Sequence, residues 1–347
     1  MKFYIKIIII LIAVSLAYQN GYSGPKKKFG TLAAPELLIP IGSSGTSLGG
    51  SNLATVNGID AMYWNPAGLS EINSNSGEVM FSSMNYLADI NMNYFAGAVK
   101  LGGLGTVGGS IRAMSFGEEE LVTTEYAPDG TGATFAPTYI VGTLSFAKAM
   151  TDKIRFGTTF KLISEQIAEV SATGFGFDFG LQYIAGASGL RFGIALKNLG
   201  SSMKFNGPGL DRTFIENGVQ VVRRVTLQES DLPTNLEIGL GYSTTFSKNN
   251  NVTLSSTFQN SSFSSDEYKF GLEYNYNQMV FLRGAFTVYP DHSEIDDVNK
   301  SLFGPSFGAG VKYPFGSLTL GFDYAYRVIN ETGFNSTNQY FTLNVGF

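Results

Sequence analysis

Phe175-Gly176-Phe177-Asp178-Phe179-Gly180-Leu181-Gln182-Tyr183 decides the fold. A β-strand sends successive side chains to opposite faces, so one face of this stretch is Phe175, Phe177, Phe179, Leu181 and Tyr183. The other is Gly174, Gly176, Asp178, Gly180 and Gln182. Neighbouring stretches repeat the division. Ile154, Phe156, Thr158, Phe160 and Leu162 oppose Arg155, Gly157, Thr159 and Lys161. Leu190, Phe192, Ile194 and Leu196 oppose Arg191, Gly193, Ala195 and Lys197. Further along, Leu236, Ile238, Leu240 and Tyr242 oppose Glu237, Gly239, Gly241 and Ser243. Tyr268, Phe270, Leu272, Tyr274 and Tyr276 oppose Glu267, Lys269, Gly271, Glu273 and Asn275. The set closes with Val280, Leu282, Phe286 and Val288 against Phe281, Arg283, Ala285 and Thr287, and Leu318, Leu320, Phe322, Tyr324 and Tyr326 against Thr319, Gly321, Asp323 and Arg327.

In all seven segments every charge lies on one face. A soluble sandwich also alternates, but its outward face meets water and carries more charge and less glycine. Lipid on the uncharged side explains the exclusion, because Lys or Arg facing lipid at mid-membrane costs about 2–4 kcal/mol. The glycine-rich face then lines a lumen packed against something. The fold expected is all-β, a transmembrane antiparallel β-barrel of about fourteen strands.

Composition agrees. Among 347 residues there are 42 Gly, 28 Phe and 18 Tyr against one Trp, and only 15% are charged. Such a balance suits many short strands separated by turns, with aromatics at a membrane boundary. After Ala17 no apolar run reaches the roughly 18 residues of a membrane-spanning helix. The net charge of −5, without clustered Lys and Arg, gives no nucleic-acid footprint. The absence of Cys removes disulfides, thiolate chemistry and Cys-ligated zinc.

Lys2 and Lys6 precede an apolar run, Ile7 to Ala17, and then small and polar residues to Ser23. That layout is expected of a cleaved secretory signal peptide over 1–23, since about eleven apolar residues are too few to span a bilayer. Residues 24–76 lack strand patterning and are expected to pack inside the barrel as a plug, with Lys26 to Lys28 near its periplasmic mouth. The barrel proper is expected over 77–347. Its strands fall at 77–86, 91–100, 105–116, 138–148, 154–164, 173–184, 189–199, 234–244, 251–259, 266–276, 279–289, 305–313, 317–327 and 339–347.

Connections sort by length, short on one parity and long on the other, as barrels with short periplasmic turns and longer external loops require. The short ones are 101–104, 149–153, 185–188, 245–250, 277–278 and 313–316. The long ones are 117–137, 200–233, 290–304 and 328–338. In the final segment Phe341, Leu343, Val345 and Phe347 share a face; an aromatic last residue on such a strand is similar to outer-membrane proteins, where the insertion machinery recognises it.

No chemistry is expected. Gly103-Leu104-Gly105-Thr106-Val107-Gly108 matches a dinucleotide-binding pattern, but a strand follows where a helix is needed. His292 is the only histidine and sits among loop neighbours, with no catalytic set around it. The lumen charges Arg155, Lys161, Asp178, Arg191, Lys197, Glu237, Lys269, Glu273, Arg283, Asp323 and Arg327 have mixed sign, so they are expected to pair across strands and with the plug. No catalytic residue, cofactor or metal ligand is assigned.

The stretches Pro35-Glu36-Leu37-Leu38-Ile39-Pro40-Ile41-Gly42, Leu48-Gly49-Gly50-Ser51-Asn52-Leu53-Ala54 and Ala61-Met62-Tyr63-Trp64-Asn65-Pro66-Ala67-Gly68-Leu69 resemble the start of the PorV/PorQ family of outer-membrane proteins. That family is similar in fold to the FadL family, which shares the Asn-Pro-Ala-Gly-Leu run. Thr123-Thr124-Glu125-Tyr126, then Pro128-Asp129-Gly130-Thr131-Gly132 and Phe135, and Asn198-Leu199-Gly200 resemble PorV further. The resemblance implies a component of type IX protein secretion in the cell outer membrane. Its external loops would bind secreted cargo, pass it to the surface-attachment complex and engage other components of that system.

The family motif is then Tyr63, Trp64, Asn65, Pro66, Ala67, Gly68 and Leu69. Thr124, Tyr126, Asp129, Gly130, Phe135 and Phe214 are the candidate cargo or partner contacts. Apart from the resemblance, Trp64 reads as a packing anchor, Asp129-Gly130 as a loop turn, and the loop aromatics as ordinary loop packing. The alternative function is a FadL-like transporter of hydrophobic small molecules, with the plug gating a lumen pocket and a side opening.

Overall fold

The computed structural model describes residues 32–72, 74, 76–86, 90–117, 120–123, 127–289, 303–331 and 334–347. The expected signal peptide, Lys26 to Lys28, Thr124, Tyr126 and the segment 290–302 lie outside the described residues. The alternating segments become β1 (Gly77–Asn85), β2 (Asn91–Lys100), β3 (Thr106–Ser115), β4 (Thr138–Ala149), β5 (Ile154–Ile167), β6 (Val170–Ile184) and β7 (Leu190–Gly200). The second half supplies β8 (Asn235–Ser247), β9 (Asn250–Ser261), β10 (Glu267–Tyr276), β11 (Val280–Val288), β12 (Phe303–Phe315), β13 (Leu318–Glu331) and β14 (Phe334–Gly346). Each pairs antiparallel with its chain neighbours, and β1 pairs with β14. The closed sheet leaves no edge, which is what lets strands cross a membrane with every backbone group satisfied.

The two faces fall where the alternation puts them. Phe81, Phe95, Ile111, Leu144, Phe177, Leu272, Phe322 and Leu343 point outward and are exposed, whereas Lys161, Asp178, Glu237, Arg283 and Asp323 point inward and are buried. Short turns at 101–105, 150–153, 185–189, 248–249, 277–279 and 316–317 share one end. In the 277–279 turn, Asn277 and Gln278 both take positive φ, 53° and 55°, the left-handed region in which Asn is enriched.

Two external connections differ from expectation. The gap expected between strands ending at 164 and starting at 173 is instead a hairpin turning at Ala168-Glu169, with Ala168 at φ 49°. The loop expected over 328–338 is mostly strand, since β13 and β14 pair as far as Glu331 with Phe334. Above the membrane both faces of a strand are wet, so the lipid-driven contrast fades while the hydrogen-bond ladder continues. The loop after β7 carries its own hairpin, Asp211–Glu216 with Val219–Arg224, turned by Asn217-Gly218 at φ 52° and 79°.

Residues 32–72 occupy the lumen, so the plug expected there is present. They begin at the external end, where Leu32 bridges Asp231, and run through short helical turns to Glu71 near the periplasmic end. The wall meets them with glycine. Gly193 of β7 and Gly239 of β8 are direct partners, and a Cβ on Gly193 would lie 2.8 Å from both Ala54 Cα and Leu53 O. Gly157 and Gly180, partners on β5 and β6, face Pro66 and Asn65 in the same way.

Candidate functional site

The family motif sits at the centre of the plug. Trp64 is buried and donates from Nε1 to Ile41 O at 3.1 Å. Its ring lies where Cβ atoms on Gly45 and Gly50 would stand, so it locks three turns of plug together, the packing anchor that its sequence suggests. Asn65 spends its amide on Leu53 O at 2.9 Å, and its Oδ1 accepts from Ala67 N at 3.2 Å. Pro66 opens the turn that follows, where a missing N–H costs nothing. Gly68 passes against Val56 O, leaving no room for a side chain. Tyr63 donates to Ile39 O at 3.0 Å, and Ala67 and Leu69 are fully buried.

Charged pairs and hydroxyls fasten this unit to one side of the wall. Glu71 Oε2 takes Arg155 Nη1 at 2.6 Å and Arg191 Nη1 at 3.3 Å. Lys197 pairs with Glu237 at 3.2 Å, its ammonium lying 5.1 Å from the Tyr63 ring centre and 5.5 Å from that of Trp64. Gln182 Nε2 donates to Val56 O at 2.9 Å, and Thr257 Oγ1 donates to Ser51 O at 2.9 Å. Elsewhere Arg283 bridges Asp323 at 2.6 Å and Glu273 at 2.7 Å. Lumen charges thus pair across strands and with the plug, as expected. In the plug itself, burial pushes the Asp60 carboxyl up to about 7, with Asp323 adding to the effect.

One irregularity explains Asn198-Leu199-Gly200. The β6–β7 register shifts between Phe177 and Phe179, and Asn198 takes φ 57°. Asp178 Oδ1 then accepts from Asn198 N at 2.8 Å, while Lys161 Nζ holds Asp178 Oδ2 at 2.7 Å and Asn198 Oδ1 at 2.6 Å. Side chains satisfy the backbone where the ladder lapses.

The other side of the lumen is different. Tyr340, Met84, Met92, Met114 and Tyr139 are successive cross-strand partners from β14 through β1, β2 and β3 to β4. Each is one residue from the external end of β1 to β4, apart from Tyr340, whose strand projects further. Phe116 stacks edge-on against Tyr139 at 4.9 Å, and Tyr86 and Ile90 cover the row from above. Below it lie Met80, Ala96 and Ala98 of the wall and Ile39, Ile41, Ile59 and Met62 of the plug. The signal lay in the sequence: on β1 to β3 all four of these wall methionines share the lumen-facing parity with Tyr94 and Arg112.

The described candidate loop contacts lie in two external connections, Asp129, Gly130 and Phe135 in one and Phe214 in the other. Asp129 and Gly130 form a turn, with Gly130 N bonded to Ala127 O at 3.1 Å. Phe135 pairs with Glu120 in a short ladder. Phe214 is exposed on the Asp211–Arg224 hairpin, well away from that turn in the chain. No cluster of three or more metal-ligating side chains occurs among the described residues.

No protein-family model matches the chain, and no curated protein does. Solved structures do. The CymD monoaromatic hydrocarbon channel aligns at TM-score 0.53 and 14% identity, over 89% of this chain and 97% of its own. The fold is FadL-like. The Pseudomonas putida toluene transporter TodX aligns at 0.52 and 14%, over 84% and 94%, and a Pseudomonas aeruginosa FadL homologue at 0.50 and 13%, over 87% and 97%. At these identities the likeness is one of fold alone.

Proposed function

We propose that this barrel carries small hydrophobic molecules across an outer membrane, taking them from the external side onto the Tyr340–Met84–Met92–Met114–Tyr139 row. That row is the observation that carries the reading. It is a continuous apolar strip on a lumen wall otherwise lined by ion pairs. Unbranched methionine repacks around guests of varied shape, which suits a path more than a fixed structural core. The fold shared with a monoaromatic hydrocarbon channel and a toluene transporter supports the same class of passenger. The test is uptake of labelled toluene by cells whose outer membrane holds this protein. Met92→Glu with Met114→Glu should abolish uptake above the empty-vector level; full uptake by a correctly assembled double variant would refute the proposal.

A second reading, cargo binding in type IX secretion, rests on the Asp211–Arg224 hairpin. Phe214, Ile215, Val219 and Val222 are exposed on it, and a lone two-stranded ribbon is only marginally stable in water. Deleting residues 211–224 while following both toluene uptake and the secreted and surface-attached proteins separates the readings. Lost secretion with normal uptake favours the second.

A further inference from the structure

Two residues below Met114 on β3, Arg112 points into the lumen between Tyr94 and Val141. It is 6% exposed, and its Nε and Nη1 hydrogens meet no acceptor on the protein. Guanidinium does not give up its proton, and one buried without a counter-charge costs several kcal/mol. The nearby carboxylates do not supply that charge. Asp178 is engaged by Lys161 and by Asn198 N, and Glu237 by Lys197. Arg112 and Lys197 each act on Lys161 across this part of the lumen, and these three cations face two carboxylates, so the group is one negative charge short.

Arg112 also borders a cavity of about 20 Å³, closed on the plug side by Leu37, Ile41 and Tyr63. Ser110, Thr143, Lys161 and the Asp178 carboxylate line the same space, so two positive charges face one negative. Ser110 bonds Thr143 at 2.6 Å and also meets the Tyr94 hydroxyl, so three hydroxyls share two hydrogen bonds and one hydrogen is left to donate elsewhere. Lys161 uses two of its three N–H donors on Asp178 and Asn198. The cavity thus collects donors and a surplus positive charge, in a volume suited to one or two water-sized atoms.

We infer that this cavity is a binding site for a single small monovalent anion of halide size, held by Arg112, Lys161 and the Ser110–Thr143 hydroxyls. Because plug residues form its lid, an ion there ties plug to wall and stabilises the plugged barrel. The site does not depend on what crosses the lumen, so failure of the hydrocarbon reading would leave it standing.

The test is thermal melting of detergent-solubilised full-length protein, followed by Trp64 emission, in sodium chloride against sodium gluconate at constant ionic strength. Wild type should gain roughly 2–4 °C for each tenfold rise in chloride beyond half-saturation. Arg112→Met should lose that dependence whatever its starting melting temperature. A wild-type melt identical in the two salts, or an Arg112→Met variant that keeps the chloride response, overturns the inference. Should Arg112→Met fail to fold, chloride NMR line broadening by the wild type decides: broadening reversed by bromide supports the site, and its absence refutes it.

Discussion

Replacing Gly193 by alanine tests whether the lumen glycines exist for the plug. The new Cβ would stand 2.8 Å from Ala54 Cα and Leu53 O and 2.9 Å from Ala54 N. Ordinary contact begins near 3.4 Å, so plug or wall must move by about half an ångström or more, and every atom met is backbone that cannot rotate away. Overpacking of this kind costs about 1–3 kcal/mol. An opposing term exists, because Gly→Ala at a permitted conformation stabilises by about 0.4–1 kcal/mol through the unfolded chain. Gly142→Ala isolates that term, since a Cβ at Gly142 meets nothing within 4 Å. The single tryptophan reports on the plug alone. Urea titration by Trp64 emission should therefore show plug release at lower denaturant in Gly193→Ala than in wild type or Gly142→Ala, while the barrel itself keeps its heat-modifiable gel mobility. Identical midpoints for the two variants would refute the close-approach argument.

Three further outcomes are expected. Asp60 has its carboxyl raised from 3.8 to about 7 by burial, so keeping it ionised in the folded protein is costly. The penalty is absent below about 4, grows as pH rises and is complete above about 7, on the order of 4 kcal/mol at most. The Trp64 urea midpoint should fall across that window more in wild type than in Asp60→Asn, where the buried contact of Glu36 with Glu165 still titrates; equal falls would refute the Asp60 argument. Leu272→Arg, on the lipid face of β10, should lower barrel stability in vesicles by about 2–4 kcal/mol by urea titration, whereas Leu104→Arg in a periplasmic turn should cost under about 1 kcal/mol. Because the chain has no cysteine, Ser51→Cys with Ser255→Cys, whose hydroxyls are 2.8 Å apart, can tether plug to wall on the polar side; oxidation should leave toluene uptake unchanged, and loss of uptake would show that the plug leaves the wall there.

Much of the wall was legible because lipid enforces alternation residue by residue. The strand ends were not, because that pressure stops at the membrane surface. Ser164 and Gln166 are polar on the outward parity of β5, and Ala168-Glu169 is no turn signature, so nothing in the residues announces that the ladder runs on to Ile167. In the plug, Asn65-Pro66 announced a turn, yet nothing local tells that Gly157 and Gly180 lie against it, because those contacts join residues about 90 and about 115 positions apart. The apolar row was readable in principle from the parity of Met80, Met84, Met92 and Met114. It lies on strands with few charges, where alternation is least conspicuous. Arg112 could be read as a lumen residue, but its lack of a partner is a property of the assembled interior.

The lumen is therefore divided by chemistry. From β5 to β13 the wall grips the plug through the Glu71 ion pairs, side-chain amides and hydroxyls, and glycine clefts, contacts that are directional and expensive to break once water is excluded. From β14 through β4 it meets the plug mainly through methionine, alanine and tyrosine, contacts that can be exchanged for those of an apolar guest, beside hydrogen bonds between Ser43 and Thr342 and from Ile59 N to Glu78. On the proposed reading a hydrophobic molecule entering from outside competes chiefly on the second side. The plug would then need neither to unfold nor to leave; yielding along the face it shares with β1 to β4 would open a path while Glu71, Asn65 and Ser51 keep their partners. On that reading Lys and Glu are tolerated so deep in the barrel because they lie on the side that holds still.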